Sequence, residues 1–308
     1  MPHPFWRRRL LLLVAGTFCL LAVLYAFRRV PTDLAASGDR QPISKRPEIG
    51  VSPRGPAPEQ AELAPANLGL QVSERLIYDI RVNGIPAGKS LLEVQRVEGE
   101  AFSPGPQVWV IQATTRSTRA LSWFFYDVHD RAYSRIDTKG GFSRSHSVLR
   151  NEGEIKAGER MRFSYDIGNM EASYERLRSD GQWRAYRIPL TGKVLDPLAA
   201  LYYLRALKLG SLQPGNVVYL PICAEARVWD TALKVISVER RDAGYLKGRQ
   251  CVVFEPEAEF RGLFERKGGM RVWVDVATGI PLRMAVEIPI GPAEVVLCQA
   301  KGSPLPER

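Results

Sequence analysis

Strict alternation of apolar and polar residues recurs along the chain after residue 72, and it restricts the possible folds more than any other feature. From Arg75 to Val82, for example, the residues Leu76, Tyr78 and Ile80 fall on one side of an extended chain together with Val82. Successive side chains of a β-strand point to opposite faces, so this spacing predicts a strand with one buried face. The repetition of the pattern predicts a mainly β domain.

The alternation predicts fourteen strands in all. They cover residues 75–82, 91–97, 108–113, 131–137, 144–150, 160–166, 171–178, 183–188, 217–221, 227–239, 251–255, 270–275, 281–288 and 294–298. The segment 83–88 contains Gly84, Pro86 and Gly88, and this composition predicts a connection between the first two strands. These two strands would then form a β-hairpin.

One segment breaks the alternation and predicts a helix over residues 196–207. Asp196 is suited to the N-cap and Pro197 to the first helical position, while Gly210 follows as a stop signal. A second short helix is predicted over residues 118–125. Many strands with one good helix predict a strongly curved antiparallel sheet, or half-barrel, packed against one central helix. Such a sheet leaves an apolar groove, where we expect the functional site.

The N-terminus carries an uncharged run of 18 residues, Leu10 to Phe27, with Arg7, Arg8 and Arg9 before it and two further arginines after it. At 1.5 Å per residue the run spans roughly 27 Å, enough for a bilayer core. It predicts a single transmembrane signal anchor, with residues 1–9 as a short cytoplasmic tail. The alternative is a cleaved signal, although the run is long for one.

Residues 28–72 contain seven prolines and no aromatic residue, a composition that predicts a disordered linker. Residues 73–308 show no second break in composition and predict one β-rich domain. The expected location is therefore the inner membrane, crossed once by residues 10–27, with the C-terminal domain in the periplasm.

The net charge of +10 does not indicate a nucleic-acid partner. Its 43 basic and 33 acidic residues are interspersed, whereas nucleic-acid binding predicts a basic stripe with stacking aromatic residues. We therefore expect no nucleic-acid partner.

Residues that carry catalytic chemistry are sparse, and no nucleophile or phosphate-loop motif occurs. His129 would share a strand face with Asp127, but neither has a further ligand at metal spacing, and His146 is expected at the surface. Glu255, Glu257 and Glu259 are expected on a solvated edge strand. The sequence thus predicts no catalytic residue, no metal and no cofactor.

Three cysteines, Cys223, Cys251 and Cys298, fall in or beside predicted strands. An odd number in an oxidising compartment leaves two alternatives open: buried free thiols, or one disulfide with one thiol left over.

Several segments together resemble the bacterial DUF3108 family of exported domains. They are residues 76–88 with Gly84 and Gly88, residues 128–137 with Asp130 and Asp137, residues 196–205 with Asp196 and Arg205, and residues 269–284 with Asp275 and Pro281. Pro197 stands where the family usually has serine. The resemblance covers about residues 75–297 and implies an exported, β-rich domain in which these residues have structural roles. Its architecture is similar to the half-barrel of periplasmic lipid and lipoprotein carriers.

The expected function is that of a non-enzymatic envelope protein that binds an apolar ligand, lipid or lipoprotein-like, in the curved sheet. Trp109, Phe124, Phe125 and Trp273 are the predicted lining residues. A structural or assembly subunit of an envelope complex is the alternative, and a carboxylate-dependent hydrolase of envelope polymers is a remote one.

Overall fold

The computed structural model describes residues 68–99, 107–119, 127–152, 155–166, 168–177, 181–224, 226–241, 247–257, 269–288 and 291–307. The predicted tail, anchor and most of the linker lie outside these residues, as do Phe124, Phe125 and most of the predicted helix 118–125. Within the described ranges, none of the helices has the length and hydropathy that a membrane crossing requires.

All fourteen predicted strands are present in one antiparallel sheet. They are β1 (Arg75–Val82), β2 (Ile85–Glu98), β3 (Val108–Ser117), β4 (His129–Asp137), β5 (Ser143–Glu152), β6 (Ile155–Asp166), β7 (Asn169–Leu177), β8 (Trp183–Pro189), β9 (Val217–Ala224), β10 (Arg227–Arg240), β11 (Gln250–Glu257), β12 (Arg271–Asp275), β13 (Pro281–Ile288) and β14 (Gly291–Lys301). Their spatial order is β8-β7-β6-β5-β4-β3-β2-β1-β14-β13-β12-β11-β10-β9. The prediction of a mainly β, antiparallel domain is confirmed.

The first connection is shorter than the sequence predicted, because β2 begins at Ile85. Only Asn83 and Gly84 form the turn, and both have positive φ angles. Pro86 and Gly88 lie inside β2, where the pairing with β1 shifts register next to Ile80. Such a β-bulge accommodates residues that a regular strand disfavours. The prediction that Gly88 belongs to the turn is wrong.

The single α-helix described, α1 (Pro197–Tyr203), begins where the sequence predicted. The Asp196 carboxylate accepts hydrogen bonds from the backbone N–H groups of Leu198 and Ala199, and all seven helical residues are buried. The α-helix ends earlier than predicted, because the chain continues as short 3₁₀ turns at 204–206 and 209–211. The helix therefore lies in the protein core.

The sheet curls around α1. The helix contacts both β4 and β9, which stand nine places apart in the strand order. At about 4.8 Å per strand, a flat sheet would separate them by about 43 Å, whereas a helix is only about 10 Å wide. The concave face of the curled sheet and α1 together enclose the main core.

The sheet remains open, with β8 and β9 as its edges, and the two edges overlap. Leu220 and Ile222 of β9 belong to the main core. Cys223 points the other way and belongs to a second core with Met161, Phe163, Ala172, Tyr174, Ile188, Leu190 and Val194. Strands β6–β8 thus pack over the outer face of β9.

A short segment joins the sheet across its opening. The backbone N–H of Ser143 in β5 donates to Val194 O at 3.0 Å, while Leu195 bonds to β9 through Pro221 O and Cys223 N at 2.9 and 2.8 Å. Leu68 and Leu70 also lie in the main core, so the packed region begins before residue 73.

Candidate functional site

The concave face has two parts, and α1 fills the part at one end of the sheet. We call this the helix end; it is the end at which β1 begins and β4 and β12 finish. At the helix end Arg205 meets Glu74, and Asp196 meets Ser134 and Ser143. At the opposite end lie the β1–β2 turn and the ends of β3 and β11.

Four polar side chains cross neighbouring strands of the concave face just beyond α1. Ser90 is paired with Thr115, and Thr115 with Asp130. Arg150 follows Leu149, the partner of Arg131, and so lies opposite Asp130. We call these four residues the polar row; their exposed fractions are 0%, 4%, 0% and 5% in the order Ser90, Thr115, Asp130, Arg150. Buried polar groups on the inside of a curved sheet are unusual enough to mark a candidate binding site.

The residues around the polar row are small. Ala87, Ala113, Ala132 and Ala293 all belong to the main core and lie on β2, β3, β4 and β14. Their short side chains occupy little of the concavity. Small apolar residues with a few convergent polar groups are the ordinary lining of a ligand site.

At the helix end, by contrast, buried carboxylates connect the strands to α1. Asp196, fully buried, accepts hydrogen bonds from the Ser134 and Ser143 hydroxyls at 2.6 and 2.7 Å. His146 Nδ1 lies 3.1 Å from Asp196 Oδ1. One carboxylate thus connects β4, β5 and the start of α1. The expectation that His146 lies at the surface is wrong, because its side chain is only 2% exposed.

This group of serine, histidine and aspartate is arranged for support and not for nucleophilic attack. A serine nucleophile must bond to the imidazole that accepts its proton. Here both hydroxyls donate to the carboxylate. Burial raises the pKa of the Asp196 carboxyl, but the charge and hydrogen bond of His146 and the two hydroxyls outweigh burial and hold that pKa below its ordinary value.

Asp137 and Asp275 support two similar turns at the helix end, each as the last residue of its strand. Asp137 accepts from the N–H groups of Lys139 and Gly140 and from Arg144. Asp275 accepts from Thr278 and, at 2.7 and 2.6 Å, from Arg249. Burial raises the pKa of Asp137, but Arg144 and the two N–H groups outweigh burial and lower it.

Arg205 attaches the end of the helical segment to the first strand. Its guanidinium donates two hydrogen bonds, of 2.9 and 2.6 Å, to the buried carboxylate of Glu74. Gly279 permits this arrangement, since an added Cβ would lie 2.4 Å from Arg205 Cα. Burial lowers the pKa of Arg205, but the Glu74 carboxylate more than compensates and raises it.

A family model described as "Protein of unknown function (DUF3108)" matches residues 77–297, more than half of the chain. The chain belongs to the DUF3108 family. No curated protein and no solved structure matches it. The resemblance stated from the sequence segments is confirmed.

The motif residues of this DUF3108 domain lie mostly at the helix end. Asp137, Asp196, Arg205 and Asp275 hold turns and α1 there, and the Pro281 carbonyl accepts the Tyr78 hydroxyl at 2.9 Å. Gly84 forms the first turn at φ +76°, and Asp130, in the polar row, accepts the Asn151 N–H at 2.9 Å. An added Cβ on Gly88 would lie 2.5 Å from Arg116 O, so this glycine permits close approach of two strands.

Both described residues of the predicted lining, Trp109 and Trp273, are half-buried and pack against the main core, but they are placed differently on their strands. Trp109 is half-buried, lies at the start of β3 and packs on the main core. Trp273 alternates with Val272 and Val274, which both face that core, and its ring is 4.4 Å from the Arg283 guanidinium. Its indole N–H donates to Glu239 on the outer side. Of the polar row, only Asp130 was singled out from the sequence, as a motif residue, because the four members are spread over 60 residues of the chain and are brought together by strand pairing.

A cavity between α1 and strands β1, β2 and β13 is too small for a lipid. It has a volume of about 10 Å³ and is lined by residues such as Leu76, Leu92, Leu201 and Met284. That is space for one water molecule at most.

The three domain cysteines are free thiols, and burial raises the pKa of each. For Cys223 the pKa rises to about 12 and for Cys251 to about 11. Thiols of this kind are poor nucleophiles at neutral pH.

The other residues that the sequence singled out do not converge. Burial and the charges of Arg116 and Arg131 lower the pKa of His129. No group of three potential metal ligands occurs among the residues that the structure describes. Glu255 lies on β11 and pairs with Arg271 of β12. Because β11 lies between β10 and β12, the predicted place of Glu255 on an edge strand is wrong.

Proposed function

We propose that this chain is a membrane-tethered protein of the cell envelope. The uncharged run at 10–27, bracketed by arginines, supports a single crossing of the inner membrane with the domain in the periplasm. Residues 28–67 would serve as the tether.

The proposed activity is binding, without catalysis, of an apolar ligand such as a lipid or an acylated protein. The observation that carries this proposal is the polar row among alanines on the concave face. The sheet would act as a half-barrel whose helix end is closed by α1 and whose remaining concavity receives the ligand. The charged residues of the helix end have structural partners, which supports a binding role over a hydrolytic one.

Native mass spectrometry of the full chain, extracted from membranes in mild detergent, tests this proposal. We expect an adduct of lipid mass. Ala113→Leu, which fills the concave face, should remove the adduct, whereas Ala285→Leu, in a strand position of the opposite face, should retain it. Circular dichroism checks that both variants are folded. An adduct that both variants retain, or none in the parent chain, would contradict the proposal.

An assembly subunit of an envelope complex is the second candidate, and the β9 edge favours it. Leu195 bonds along the second half of β9, while Val217 and Tyr219 in the first half are 38% and 45% exposed. In the described structure no strand pairs with this half of the edge, which suits addition of a strand from a partner.

Photo-crosslinking in cells distinguishes this second candidate. A photoreactive residue at Tyr219 should capture a partner protein, and one at Trp183, on the other edge strand, serves as the matched control. Capture from neither position, with only the monomer recovered, argues against an assembly role.

A further inference from the structure

Five arginines lie together on the outer face of strands β4–β8. This face points away from both cores, because neighbouring residues in the same strands, such as Val148 and Met161, point into them. Strand pairing places the outward residues in three rows across the five strands. The rows are Arg135-Ser145-Arg162-Ser173-Arg187, Tyr133-Ser147-Arg160-Glu175-Ala185 and Arg131-Leu149-Gly158-Leu177-Trp183. We call the residues of these rows the arginine face.

The arginine face is strongly positive. All five of its arginines are exposed, and Glu175 is the one acidic residue in the three rows. Glu171, in the next row, lies 3.4 Å from Arg187 and offsets the charge of that arginine. Neighbouring arginines are about 7 Å apart along a strand and about 10 Å apart across two strands. These distances are close to one Debye length, so the charges act together on an anionic partner.

An exposed apolar pair adjoins these charges. Leu149 and Trp183 are 49% and 39% exposed. Gly158 lies between them, and a Cβ added there would be 3.0 Å from the Trp183 ring and 3.6 Å from Leu149. The absence of a side chain on Gly158 lets the two apolar groups converge. The Arg160 guanidinium lies 4.4 Å from the centre of the Trp183 ring, so a cation and an exposed aromatic ring are in direct contact.

Arginines beside an exposed tryptophan suit an anionic membrane surface. Guanidinium groups donate paired hydrogen bonds to phosphate oxygens, and tryptophan prefers the boundary between headgroups and acyl chains. An exposed leucine adds apolar area that the same boundary can cover. Nucleic acid would need a series of rings for stacking, whereas Trp183 is the one exposed ring of the arginine face and is covered on one side by Arg160.

The proposed tether keeps such a surface within reach. Even as a loose coil, a tether of residues 28–67 would span roughly 35 Å. The domain would therefore stay beside the bilayer at a high effective concentration, and contacts that are weak one by one would be enough to hold one side of the domain against the bilayer.

We infer that the arginine face docks on the anionic lipid surface of the membrane that holds the anchor. Arg135, Arg160 and Arg162 bind lipid phosphates, while Leu149 and Trp183 enter the boundary between headgroups and acyl chains. The inference rests on the proposed membrane tether and adds to it which side of the domain faces the bilayer.

The test places the photoreactive residue benzoyl-phenylalanine at Ala185, an exposed position of the arginine face that makes none of these contacts. The full chain is reconstituted into nanodiscs of phosphatidylcholine alone, or of equal parts phosphatidylcholine and phosphatidylglycerol. Mass spectrometry after irradiation measures the fraction of the chain that gains the mass of a lipid. We expect lipid capture in the anionic nanodiscs and little in the neutral ones. The same residue at the exposed Tyr219, on the β9 edge, should capture little in either.

A double variant, Arg160→Gln with Arg162→Gln, tests the charges of the arginine face. Each basic residue near an anionic surface strengthens binding about fivefold, so the ratio of docked to undocked domain should fall about thirtyfold. Arg81→Gln with Arg240→Gln is the matched control, because it removes the same charge from exposed positions on β1 and β10. The control should capture lipid like the parent chain.

Entry into the nanodisc and lipid capture are separate observations, so the outcomes separate docking from tethering. A chain that does not enter nanodiscs would contradict both. A chain that enters but captures no lipid from Ala185 would overturn docking alone. Equal capture in neutral nanodiscs, or equal losses in the two double variants, would show that the arginine face does not select the anionic surface. Protein adducts in place of lipid, when the Ala185 variant is irradiated in cells, would overturn the lipid surface in favour of an acidic protein partner.

Discussion

The helix end and the polar row are both buried and polar, but they are built differently. At the helix end, Asp137, Asp196, Asp275 and Glu74 each meet a cation or histidine and also hold a turn, a helix or a strand. In the polar row, two of the four groups are hydroxyls that bond chiefly to each other. Charge at the helix end therefore holds the turns and α1 in place, whereas Ser90 and Thr115 of the polar row connect β2 to β3 without charge.

Removal of the Asp196 carboxylate should destabilise the helix end more than any other single change. Asp196→Ala leaves two helix N–H groups, two hydroxyls and His146 without their shared acceptor. We expect a loss of about 3–5 kcal/mol in the free energy of unfolding. Urea denaturation of the full chain, followed by far-UV circular dichroism, measures it.

Asp79→Ala is the control for Asp196→Ala, because Asp79 is paired with Lys89 in an exposed contact. Such a pair contributes about 0–1 kcal/mol. Equal losses in the free energy of unfolding would show that the buried Asp196 network stabilises the domain no more than an exposed ion pair does.

A double-mutant cycle on Glu74 and Arg205 tests whether their charges stabilise the helix end. Arg205→Met leaves the buried Glu74 carboxylate unpaired, and we expect a loss of about 3–5 kcal/mol. Adding Glu74→Gln should recover part of that loss, since the charge is then gone. The same denaturation measurement applies, and a double variant less stable than Arg205→Met would contradict a charge-based explanation.

Glycine substitutions probe the rigidity of the helix end with a smaller effect. Gly279→Ala meets both a φ of +67° and the backbone of Arg205, whereas Gly84→Ala meets only a φ of +76° with open space around it. We expect Gly84→Ala to cost about 1–2 kcal/mol and Gly279→Ala to cost more. The midpoint of thermal unfolding ranks the two variants. A lower midpoint for Gly84→Ala would show that the turn at Gly279 can shift to accommodate the added Cβ.

Acid should weaken the helix end gradually. The pKa values of Asp137 and Asp196 are lowered on folding, so their contribution is complete above the ordinary aspartate pKa near 3.9. It is lost as the pH falls through the folded values, at up to about 1.4 kcal/mol per pH unit for each proton taken up. Urea midpoints between pH 5 and pH 2 measure this loss, and Asp196→Asn should flatten it.

The sequence predicted the strands better than the site, for a physical reason. Alternation is a local signal, so all fourteen strands and the capped start of α1 were visible. Burial of a polar residue depends on partners distant in the chain: His146 meets Asp196 fifty residues later. Within Ser145-His146-Ser147 nothing local distinguishes a buried polar position from a solvated one.

The bulge in β1–β2 explains why the start of β2 was misplaced. Gly88 and Pro86 are residues typical of turns, yet the register shift near Ile80 lets both stay in β2. The polar row was hidden in the same way as His146, since Ser90, Thr115, Asp130 and Arg150 come together only through strand pairing.

The pairing of β1 with β14 has a consequence for the order of the strands along the chain. Every other neighbouring pair in the sheet is consecutive in sequence, whereas this pairing brings Tyr78 of β1 opposite Leu297 of β14, near the other end of the domain. An added Cβ on Gly302 would lie 3.3 Å from Ser73 O, so the two ends of the domain are adjacent. A circular permutant that joins them and opens the chain between β8 and β9 would have its strands in the same order in sequence and in space. All strand pairings of the sheet would then join consecutive strands, and we expect faster folding because the closure between β1 and β14 would already be made.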